Sequence, residues 1–579
     1  MSNRGNNIDN PLSEDYAMQD VIETDVLVIG EGAAGLTAAL AAHEQGAQVT
    51  LLYSGQASST AISTGFVTYA AHEDISQDDI LEAMAHTTGK GLCDMPLLER
   101  LVREGPLEMA ETIESYEIPV DKAPRGYRVK RSTGRRGKDM LNEDYGADGA
   151  NDMTGLMMEF SSTHGTALFS QLRKAIRKTD VQRLRGSALS LSAEGPSAWA
   201  IIDGKAVKIA ARAVIIATGG MQGVYDFTDT PRNLLGDGQA MALEAGASLV
   251  DMEFIQFYPL AVCEEGVPAI FMYPDYPETA VLINSDGEDL IEKHIGGSTT
   301  LGALHNWDQL SFIMQSEIVR GQKVYVDFRH TREEEWAPDS LTATFLSKYI
   351  PDFRQRAIGV APSSHYTIGG IQVDINGQTR LPGIYACGEV AGGIHGANRH
   401  GGTALVEAIT YGRISGRHAA HHLRPRTLAS LAREDEPVTT SAGTPARVDE
   451  ALDRIRRINQ HALGPFRSAA LLQAARDDIA ALQREVDGFG WQSLDEYAAI
   501  LRVKRVLMLS EAMRQSMLRR TETRGTHTRS DYPEASRGWL KKQLVRLSRD
   551  DGLVLDDVIL SQYSDSPAGS VHEREASQA

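Results

Sequence analysis

The sequence has few cysteines, no long apolar run and no surplus of positive charge. Its 3 cysteines among 579 residues, Cys93, Cys263 and Cys387, form no disulfide framework, no paired-cysteine metal spacing and no cluster for an iron–sulfur centre. We therefore expect no bound metal. A chain without a disulfide framework fits a reducing compartment, so we also expect a cytoplasmic protein.

The absence of a long apolar run and of net positive charge also argues against two kinds of partner, a membrane that the chain spans and nucleic acid. No apolar run reaches the roughly 20 residues that a transmembrane helix needs, so we expect no membrane span. The first residues, MSNRGNNIDNPLSEDY, are polar and lack the apolar core of a signal peptide and the motif of a twin-arginine leader. The formal net charge of −20 disfavours general nucleic-acid binding, and we expect no nucleic-acid partner.

The most informative stretch that is present runs from Gly383 to Gly416, GIYACGEVAGGIHGANRHGGTALVEAITYGRISG. Its pattern predicts a buried strand, a glycine-rich turn and a helix that begins near Thr403. Glycines let the main chain approach a flat or charged group closely. A helix N-terminus offers N–H groups and partial positive charge to an anion such as a reduced flavin. Arg399, in the same turn, can grip a carboxylate through two parallel hydrogen bonds.

A second stretch, VLVIGEGAAGLTAALAA, begins at Val26 and predicts a strand, a tight turn and an alanine-rich helix. Gly30, Gly32 and Gly35 form a G-x-G-x-x-G, which allows the turn, the approach of a pyrophosphate and close helix–strand packing. The motif is weak alone, but it has the right context here. A third stretch, AVIIATGG at 213–220, is another apolar strand that enters a turn, so a nucleotide could be held from two sides.

Two more segments are HYTIGGI at 365–371 and RGTHTRSDYP at 524–533. The five segments, in this order, resemble the flavoprotein family of succinate dehydrogenase, fumarate reductase and L-aspartate oxidase, and the resemblance covers about 23–544. It implies an α/β fold with a Rossmann-like FAD-binding domain, an inserted α+β capping domain and a C-terminal helical domain. The predicted segments are a flexible tail at 1–20, the FAD-binding domain at 21–234 and 357–424, the capping domain at 235–348, the helical domain at 446–547 and a disordered tail at 564–579.

The resemblance also assigns roles to residues of the site. It implies that the three glycines of the first motif hold the FAD pyrophosphate, that Glu389 binds ribose or ribityl hydroxyls, and that the turn at 401–405 faces the flavin ring. His365 and Arg399 would hold a substrate carboxylate over the flavin N5. The predicted cofactor-binding residues are Gly30, Gly32, Ala33, Ala34, Gly35, Ser59, Thr60, Thr64, Gly65, Ala217, Thr218, Gly219, Asp237, His365, Tyr366, Gly388, Glu389, Arg399, Gly402, Thr403, Ala404 and Leu405.

The sequence departs from the family pattern at several positions. Some members attach FAD covalently through a histidine, and Ser59 stands at the matching position within SSTAISTGF, which predicts non-covalent FAD. The family's EFxQFHPT is EFIQFYP here, so Tyr258 replaces a histidine thought to touch the substrate. The family's TEGxRGEGG segment is not recognisable between Tyr273 and Glu278.

The arginine that serves fumarate-reducing members as proton donor is also missing. Alignment places Trp307 at its position, or a shifted Arg320 nearby. Reduction of a C=C bond needs an acid, because hydride addition to one carbon leaves a carbanion on the other, and general acid help is worth on the order of a hundredfold or more in rate. This loss argues against plain fumarate reduction and leaves amine or alcohol oxidation, or C=C chemistry with another acid.

The candidates for that acid are Tyr258, Tyr366 and His400. We predict an FAD-dependent oxidoreductase that exchanges a hydride between the flavin N5 and a small carboxylate, with His365, Arg399, Tyr258 and His400 as catalytic residues. An L-aspartate oxidase-like amine oxidation is one alternative. A flavin-bearing electron-transfer subunit of a larger complex, without substrate chemistry of its own, is the other. The implied partners are the small carboxylate and an iron–sulfur or other electron-transfer subunit.

Overall fold

The computed structural model describes residues 21–63, 65–68, 76–122, 159–162, 165–192, 195–269, 271–272, 276–299, 307–336, 340–425 and 441–560. Both predicted tails, Thr64 and residues 273–275 of the altered capping segment lie outside the described residues.

The described secondary structure alternates strands and helices in its first half and is mostly helical between 448 and 519. The strands are β1 (Val21–Glu23), β2 (Val26–Ile29), β3 (Val49–Tyr53), β4 (Gly65–Thr68), β5 (Asp121–Lys122), β6 (Glu159–Ser162), β7 (Gln182–Arg185), β8 (Ser187–Leu191), β9 (Ser197–Ile202), β10 (Lys205–Ala210), β11 (Ala213–Ile216), β12 (Leu249–Val250), β13 (Ile255–Val262), β14 (Val281–Asn284), β15 (Val324–Asp327), β16 (Ile358–Thr367), β17 (Gly370–Gln372), β18 (Ile384–Ala386), β19 (Ala391–Gly392), β20 (Thr444–Pro445), β21 (Phe489–Gly490), β22 (Lys541–Ser548) and β23 (Gly552–Ile559). The α-helices are α1 (Ala33–Glu44), α2 (Ser59–Ile62), α3 (Gln77–Ala83), α4 (Met95–Ser115), α5 (Gly165–Ile176), α6 (Asp237–Glu244), α7 (Leu290–His294), α8 (Trp307–Val319), α9 (Leu341–Tyr349), α10 (Ala404–His421), α11 (Val448–Ala462), α12 (Ala469–Asp487) and α13 (Leu494–Arg519).

The centre of the FAD-binding part is a parallel sheet with the strand order β18-β11-β2-β3-β7. Every residue of β2, β11 and β18 is buried and apolar, as expected for strands covered on both faces. These three neighbours are the strands predicted from the sequence. Because parallel strands end at one edge of a sheet, the turns that follow them meet there, and this edge positions the site.

Two helices cross each other closely on this sheet. A Cβ added at Gly412 of α10 would lie 2.3 Å from Thr37 Oγ1 of α1 and 2.6 Å from the Ala34 carbonyl oxygen. One turn later, a Cβ at Gly416 would lie 2.3 Å from the Ala38 carbonyl oxygen. Only glycine therefore permits this helix contact at its present distance.

A second, antiparallel sheet, in the order β13-β16-β15-β14, has its own apolar core. Helix α8 contacts β13, and Leu260, Leu310 and Val326 lie in this core. Strand β16 belongs to this sheet although it lies in a segment predicted for the FAD-binding domain, so the predicted boundaries divide one structural unit. His365 lies near the C-terminal end of β16. There the Thr367 N–H donates to Glu389, in the turn that follows β18 of the central sheet.

The C-terminal part contains α11, α12 and α13, followed by a hairpin of β22 and β23. This hairpin extends a five-stranded sheet in the order β19-β17-β12-β22-β23. The segment after α13 docks against the loop that precedes α10, where the Thr526 N–H donates to the Ala397 carbonyl oxygen at 3.0 Å. Among the described residues, no helix is both long and apolar enough to cross a membrane.

We predict that Gly412→Ala destabilises the protein, although alanine ordinarily stabilises a helix interior relative to glycine. The added methyl would overlap main chain of α1, and overpacking of this kind typically costs about 1–3 kcal/mol. The midpoint of urea-induced unfolding measures the effect. Gly538→Ala is the matched control, because its nearest contact would be Ser536 Oγ at 3.6 Å. Equal midpoints for the two variants would contradict the prediction.

Candidate active site

The turn between β2 and α1 can be built only with glycine at two positions. Gly30 has a φ of +119°, and a Cβ there would lie 2.2 Å from the Ala217 carbonyl oxygen. A Cβ at Gly35 would lie 2.0 Å from the Gly30 carbonyl oxygen. Gly32 has more room, with Ser58 Oγ as its nearest contact at 3.5 Å. The first and third glycines of the motif therefore serve the turn and the helix–strand packing.

A cavity of about 740 Å³ is lined by this turn, by the turns after β11 and β18, and by β13 and α8. Gly35 and Thr403 were predicted to contact the cofactor but are not among its lining residues, and Gly65, like Thr64, lies outside the residues whose surroundings the structure describes. Gly35 packs behind the turn, and Thr403 caps α10 with its Oγ1 donating to the His400 carbonyl oxygen at 2.8 Å. The predicted cofactor residues that do line it are Gly30, Gly32, Ala33, Ala34, Ser59, Thr60, Ala217, Thr218, Gly219, Asp237, His365, Tyr366, Gly388, Glu389, Arg399, Gly402, Ala404 and Leu405.

The wall of this cavity has the chemistry of a dinucleotide site. Ser59 Oγ and Thr218 Oγ1 are buried, and neither has a hydrogen-bond partner within the described parts of the chain. The first residues of α1 and α10 also line the cavity, and helix N-termini attract anions. Unpartnered hydroxyls, a glycine turn and two helix N-termini fit an elongated phosphate-bearing ligand that carries hydroxyl groups.

Residues from the C-terminal helices close one side of the cavity. Arg502 of α13 donates to both carboxylate oxygens of Asp237, at 2.9 to 3.2 Å, and Arg505 binds Glu244 in the same manner. Both arginines line the cavity. The sequence carried no signal for Arg502, because it lies 265 positions from its partner and in no recognisable motif.

Glu389 is a buried acid on the cavity wall. Its Oε1 accepts a hydrogen bond from the Thr367 N–H at 2.9 Å and contacts Gln222 Nε2. Burial raises the pKa of Glu389 to about 8, although the Thr367 bond and the Arg399 charge act in the opposite direction. The carboxyl group can therefore hold its proton near neutral pH in the absence of a ligand.

Arg399 is almost fully buried, with 4% exposure, and is held in a fixed orientation. Its Nε and Nη2 donate to Gln256 Oε1 at 3.1 and 2.8 Å, and its Nη1 donates to the His400 carbonyl oxygen at 3.1 Å. The guanidinium lies over the Tyr366 ring, with Cζ 4.4 Å from the ring centroid. Gln256, from the EFIQFYP motif, thus supports the arginine that was predicted to bind an anion. The sequence analysis did not predict Gln256 as a site residue.

His365 faces the same cavity and is paired with an acid that the sequence analysis missed. Its Nδ1 lies 2.9 Å from Oδ2 of Asp229, whose side chain is only 1% exposed. The His365 carbonyl oxygen also accepts a hydrogen bond from Gln222 at 3.2 Å. Asp229 and Gln222 both line the cavity.

Three aromatic side chains surround the His365 imidazole. The ring centroids of Tyr258, Phe271 and Trp307 lie 6.0, 6.0 and 6.2 Å from it, and Tyr258 contacts the other two at 5.1 and 4.9 Å. We call these three residues the aromatic wall. Trp307, aligned with the family's proton-donating arginine, therefore lines the site but supplies no proton-donating cation.

The other candidate acids have different surroundings. The Tyr258 hydroxyl donates to the Met272 carbonyl oxygen at 2.6 Å. The Tyr366 hydroxyl donates to Glu407 at 2.6 Å, and burial together with that carboxylate raises the pKa of Tyr366 well above its usual value. His400 lines the cavity.

Two other arginines, Arg320 and the first residue of the RGTHTRSDYP segment, Arg524, do not line the cavity. Arg320 has a side chain that is 66% exposed and pairs with Glu317, so it does not replace the missing proton donor. Arg524 pairs with Glu522 and donates to the Lys90 carbonyl oxygen at 2.9 Å, which is a packing role.

Two family models match the chain, the FAD binding domain at residues 25–405 and the fumarate reductase flavoprotein C-terminal domain at 452–568. The chain is also 31% identical to the L-aspartate oxidase of Streptomyces coelicolor, over 92% of this chain and 93% of that protein. The chain belongs to the flavoprotein family of succinate dehydrogenase, fumarate reductase and L-aspartate oxidase. It is an FAD-dependent oxidoreductase, which confirms the predicted family, fold class and cofactor.

Other relatives match most of the length of this flavoprotein. It is 27% identical to one subunit of the CoM/CoB fumarate reductase of Methanothermobacter marburgensis, over 91% of this chain and 97% of that protein. A structure of the E. coli quinol fumarate reductase shares the fold, with a TM-score of 0.77 at 24% identity, over 94% of this chain and 97% of that chain.

We predict that the flavin-free protein loses stability as pH rises from about 5 to about 8, and that Glu389→Gln reduces this loss. The pKa of Glu389 is raised from 4.5 to about 8 by burial, so the folded state keeps a proton that the unfolded state has released over this range. The free energy of unfolding falls with rising pH wherever the folded state binds more protons than the unfolded state. The fall is up to about 1.4 kcal/mol for each unit of difference between the two pKa values.

Urea unfolding at pH 5.5 and 8.5 tests this prediction, and glutamine can still accept the Thr367 hydrogen bond. Glu334→Gln is the control, because the Glu334 side chain is 70% exposed. A pH dependence of equal size in wild type and in Glu389→Gln would be evidence against a raised pKa of Glu389.

Proposed function

We propose that this flavoprotein exchanges a hydride between the flavin N5 and a small carboxylate substrate bound at Arg399. The observation that carries the proposal is the continuity of one cavity, which is lined at the Gly30 turn and again at Arg399, His365 and the aromatic wall. Cofactor and substrate would share this space. Fixed charges inside such a site act on the reaction without the cost of reorienting water.

The residues along the cavity suit the parts of the cofactor. When bound, FAD would accept or donate a hydride, which carries two electrons. The Gly30 turn and the N-terminus of α1 would hold its pyrophosphate, and Glu389 its ribose or ribityl hydroxyls. The main chain at Gly402 and the first residues of α10 would support the ring.

We predict that the FAD is not covalently attached, because Ser59 lines the cavity at the position where some family members carry a linking histidine. A serine hydroxyl does not form that histidine–flavin bond. Denaturation with acid, followed by filtration, is expected to release all yellow colour from the protein. Fluorescence of the denatured polypeptide in a gel would be the contrary result.

The substrate end suggests which carboxylates bind. Gln256 holds the Arg399 guanidinium in place, so little conformational entropy is lost when the side chain binds a carboxylate. The aromatic wall presents apolar surface beside it. These two features favour a substrate with one carboxylate at Arg399 and an uncharged remainder against Tyr258, Phe271 and Trp307.

Two alternatives have specific support. The 31% identity to an L-aspartate oxidase favours amine oxidation as the reaction of this site. The relationship to a protein named as one subunit of a fumarate reductase favours a flavin-bearing chain that passes electrons onward. In the proposed enzyme, electrons pass to oxygen, a quinone or a separate iron–sulfur subunit, and we place the protein in the cytoplasm.

We predict that one class of carboxylate reoxidises the reduced flavin and that Arg399 controls its binding. The protein is reduced anaerobically and mixed with unsaturated, imino and keto acids, each offered as a monocarboxylate and a dicarboxylate. Stopped-flow absorbance then follows the flavin. Arg399→Lys keeps the charge but loses the planar fork, so kcat/KM should fall about tenfold to a hundredfold. Arg320→Lys is the control, because that side chain is exposed and off the cavity wall.

The pattern of reoxidation separates the candidates. Reaction with unsaturated acids supports C=C chemistry, and reaction with imino acids supports amine oxidation. If no acid reoxidises the flavin but a co-purified protein does so rapidly, the electron-transfer role replaces the proposed enzyme.

A further inference from the structure

We propose that the His365 imidazole is the proton-transfer group of this flavoprotein and that Asp229 is its positioning residue. The inference rests on the proposed function, because it requires a carboxylate substrate to react in the cavity beside Arg399. His365 would supply the proton that Trp307, aligned with the family's proton-donating arginine, does not supply.

The geometry of the pair fixes which nitrogen can act. His365 Nδ1 lies 2.9 Å from Asp229 Oδ2, so the Nδ1–H is directed at the carboxylate and the ring is held in one orientation. The remaining nitrogen, Nε2, is then the atom that exchanges a proton with a substrate. The His365 side chain is 23% exposed and lines the cavity, so it is accessible from the site.

Asp229 is suited to stabilise a protonated imidazole. Its side chain is 1% exposed, and its second oxygen, Oδ1, has no hydrogen-bond partner in the described part of the chain. A buried carboxylate favours an adjacent positive charge, since burial without such a partner is costly. The aromatic wall packs around the ring, with its three centroids 6.0 to 6.2 Å from the imidazole centroid, and so helps to hold its orientation.

The other groups that line or approach the site are less suitable as acids. The Tyr258 and Tyr366 hydroxyls donate to the Met272 carbonyl oxygen and to Glu407. Arg399 is held by Gln256 for the substrate carboxylate. His400 remains the rival, and its glutamine variant distinguishes the two histidines.

The proton balance is closed in both directions. In reduction, hydride adds to one atom of a C=C, C=N or C=O bond, and the electron pair of that bond moves to the other atom. The His365 Nε2–H bond breaks as the proton forms a bond to that second atom, which leaves neutral imidazole bonded to Asp229. Solvent then restores the proton. In oxidation, neutral Nε2 accepts the proton as hydride leaves the neighbouring atom.

The test is Asp229→Asn in the FAD-loaded protein, which keeps the side-chain shape but removes the charge. In the reductive direction, we expect kcat at pH 7.5 to fall about a hundredfold while KM changes less than about threefold. The basic limb of the pH–rate profile should move to lower pH, so that activity partly recovers in acid. The titratable groups that contact the imidazole are Asp229 and Tyr258, and Arg399, His400 and Glu389 line the same cavity.

A second readout does not depend on turnover. The ¹⁵N chemical shifts of His365 in the FAD-loaded protein report which ring nitrogen carries the proton, and the fraction of neutral ring protonated at Nδ1 should fall in Asp229→Asn. Asp352→Asn is the matched control, because it removes an exposed carboxylate of the Arg356 pair. If Asp229→Asn does not fold, His365→Gln decides: a hundredfold fall in kcat supports the proposal.

Three results would overturn the inference. One is wild-type kcat in His365→Gln, and another is an unchanged fraction of the Nδ1-protonated ring in a folded Asp229→Asn. The third is loss of the basic limb of the pH–rate profile in His400→Gln while that limb keeps its wild-type position in Asp229→Asn, which would move the role to His400. A wild-type protein that reacts with none of the acids would instead refute the proposed function, and the ¹⁵N chemical shifts would still report on the His365–Asp229 pair.

Discussion

The structure of the site depends on how the loop before α10 is held. Residues 393–403 contain no helix or strand, yet they carry Arg399. Their main chain is fixed by three hydrogen bonds from two distant segments, 89–94 and the turn at 526. The Ala397 N–H donates to the Gly89 carbonyl oxygen at 3.0 Å, the Thr526 N–H donates to the Ala397 carbonyl oxygen at 3.0 Å, and the Asp94 N–H donates to the Gly393 carbonyl oxygen at 2.9 Å. A loop bound in this way can hold a guanidinium in a fixed position although it has no regular structure.

Buried charges connect this loop to the rest of the molecule. Lys542 Nζ pairs with Asp251 at 2.5 Å and donates to the Gly393 carbonyl oxygen at 3.3 Å. Arg520 pairs with Glu253 at 2.7 Å, and all four of these charged side chains are fully buried. Removing one partner of such a pair is costly, because it leaves a buried charge unpaired. A shifted arrangement of these segments would leave charges unpaired in the same way. The pairs therefore specify how the C-terminal hairpin and the helix before it meet the FAD-binding part.

Local patterns allowed the strand–turn–helix units to be predicted, because apolar periodicity and glycine spacing act over a few residues. The helix expected near Thr403 begins at Ala404, and the predicted turn at Gly30 needs glycine for the expected steric reason. The contacts between side chains within the site could not be predicted. Asp229 meets His365 across 136 positions, and the aromatic wall forms only when β13 and α8 pack. Such contacts depend on tertiary structure, and no local motif encodes them.

The contact of α1 and α10 through Gly412 and Gly416 has a mechanical consequence. The two helices whose first residues line the cavity are packed backbone to backbone, so they behave as one rigid body on the central sheet. Strand β13 and α8, which bring Tyr258 and Trp307 to the other end of the cavity, take no part in this helix contact. Substitutions there can reshape that end of the cavity while the two helix N-termini keep their spacing.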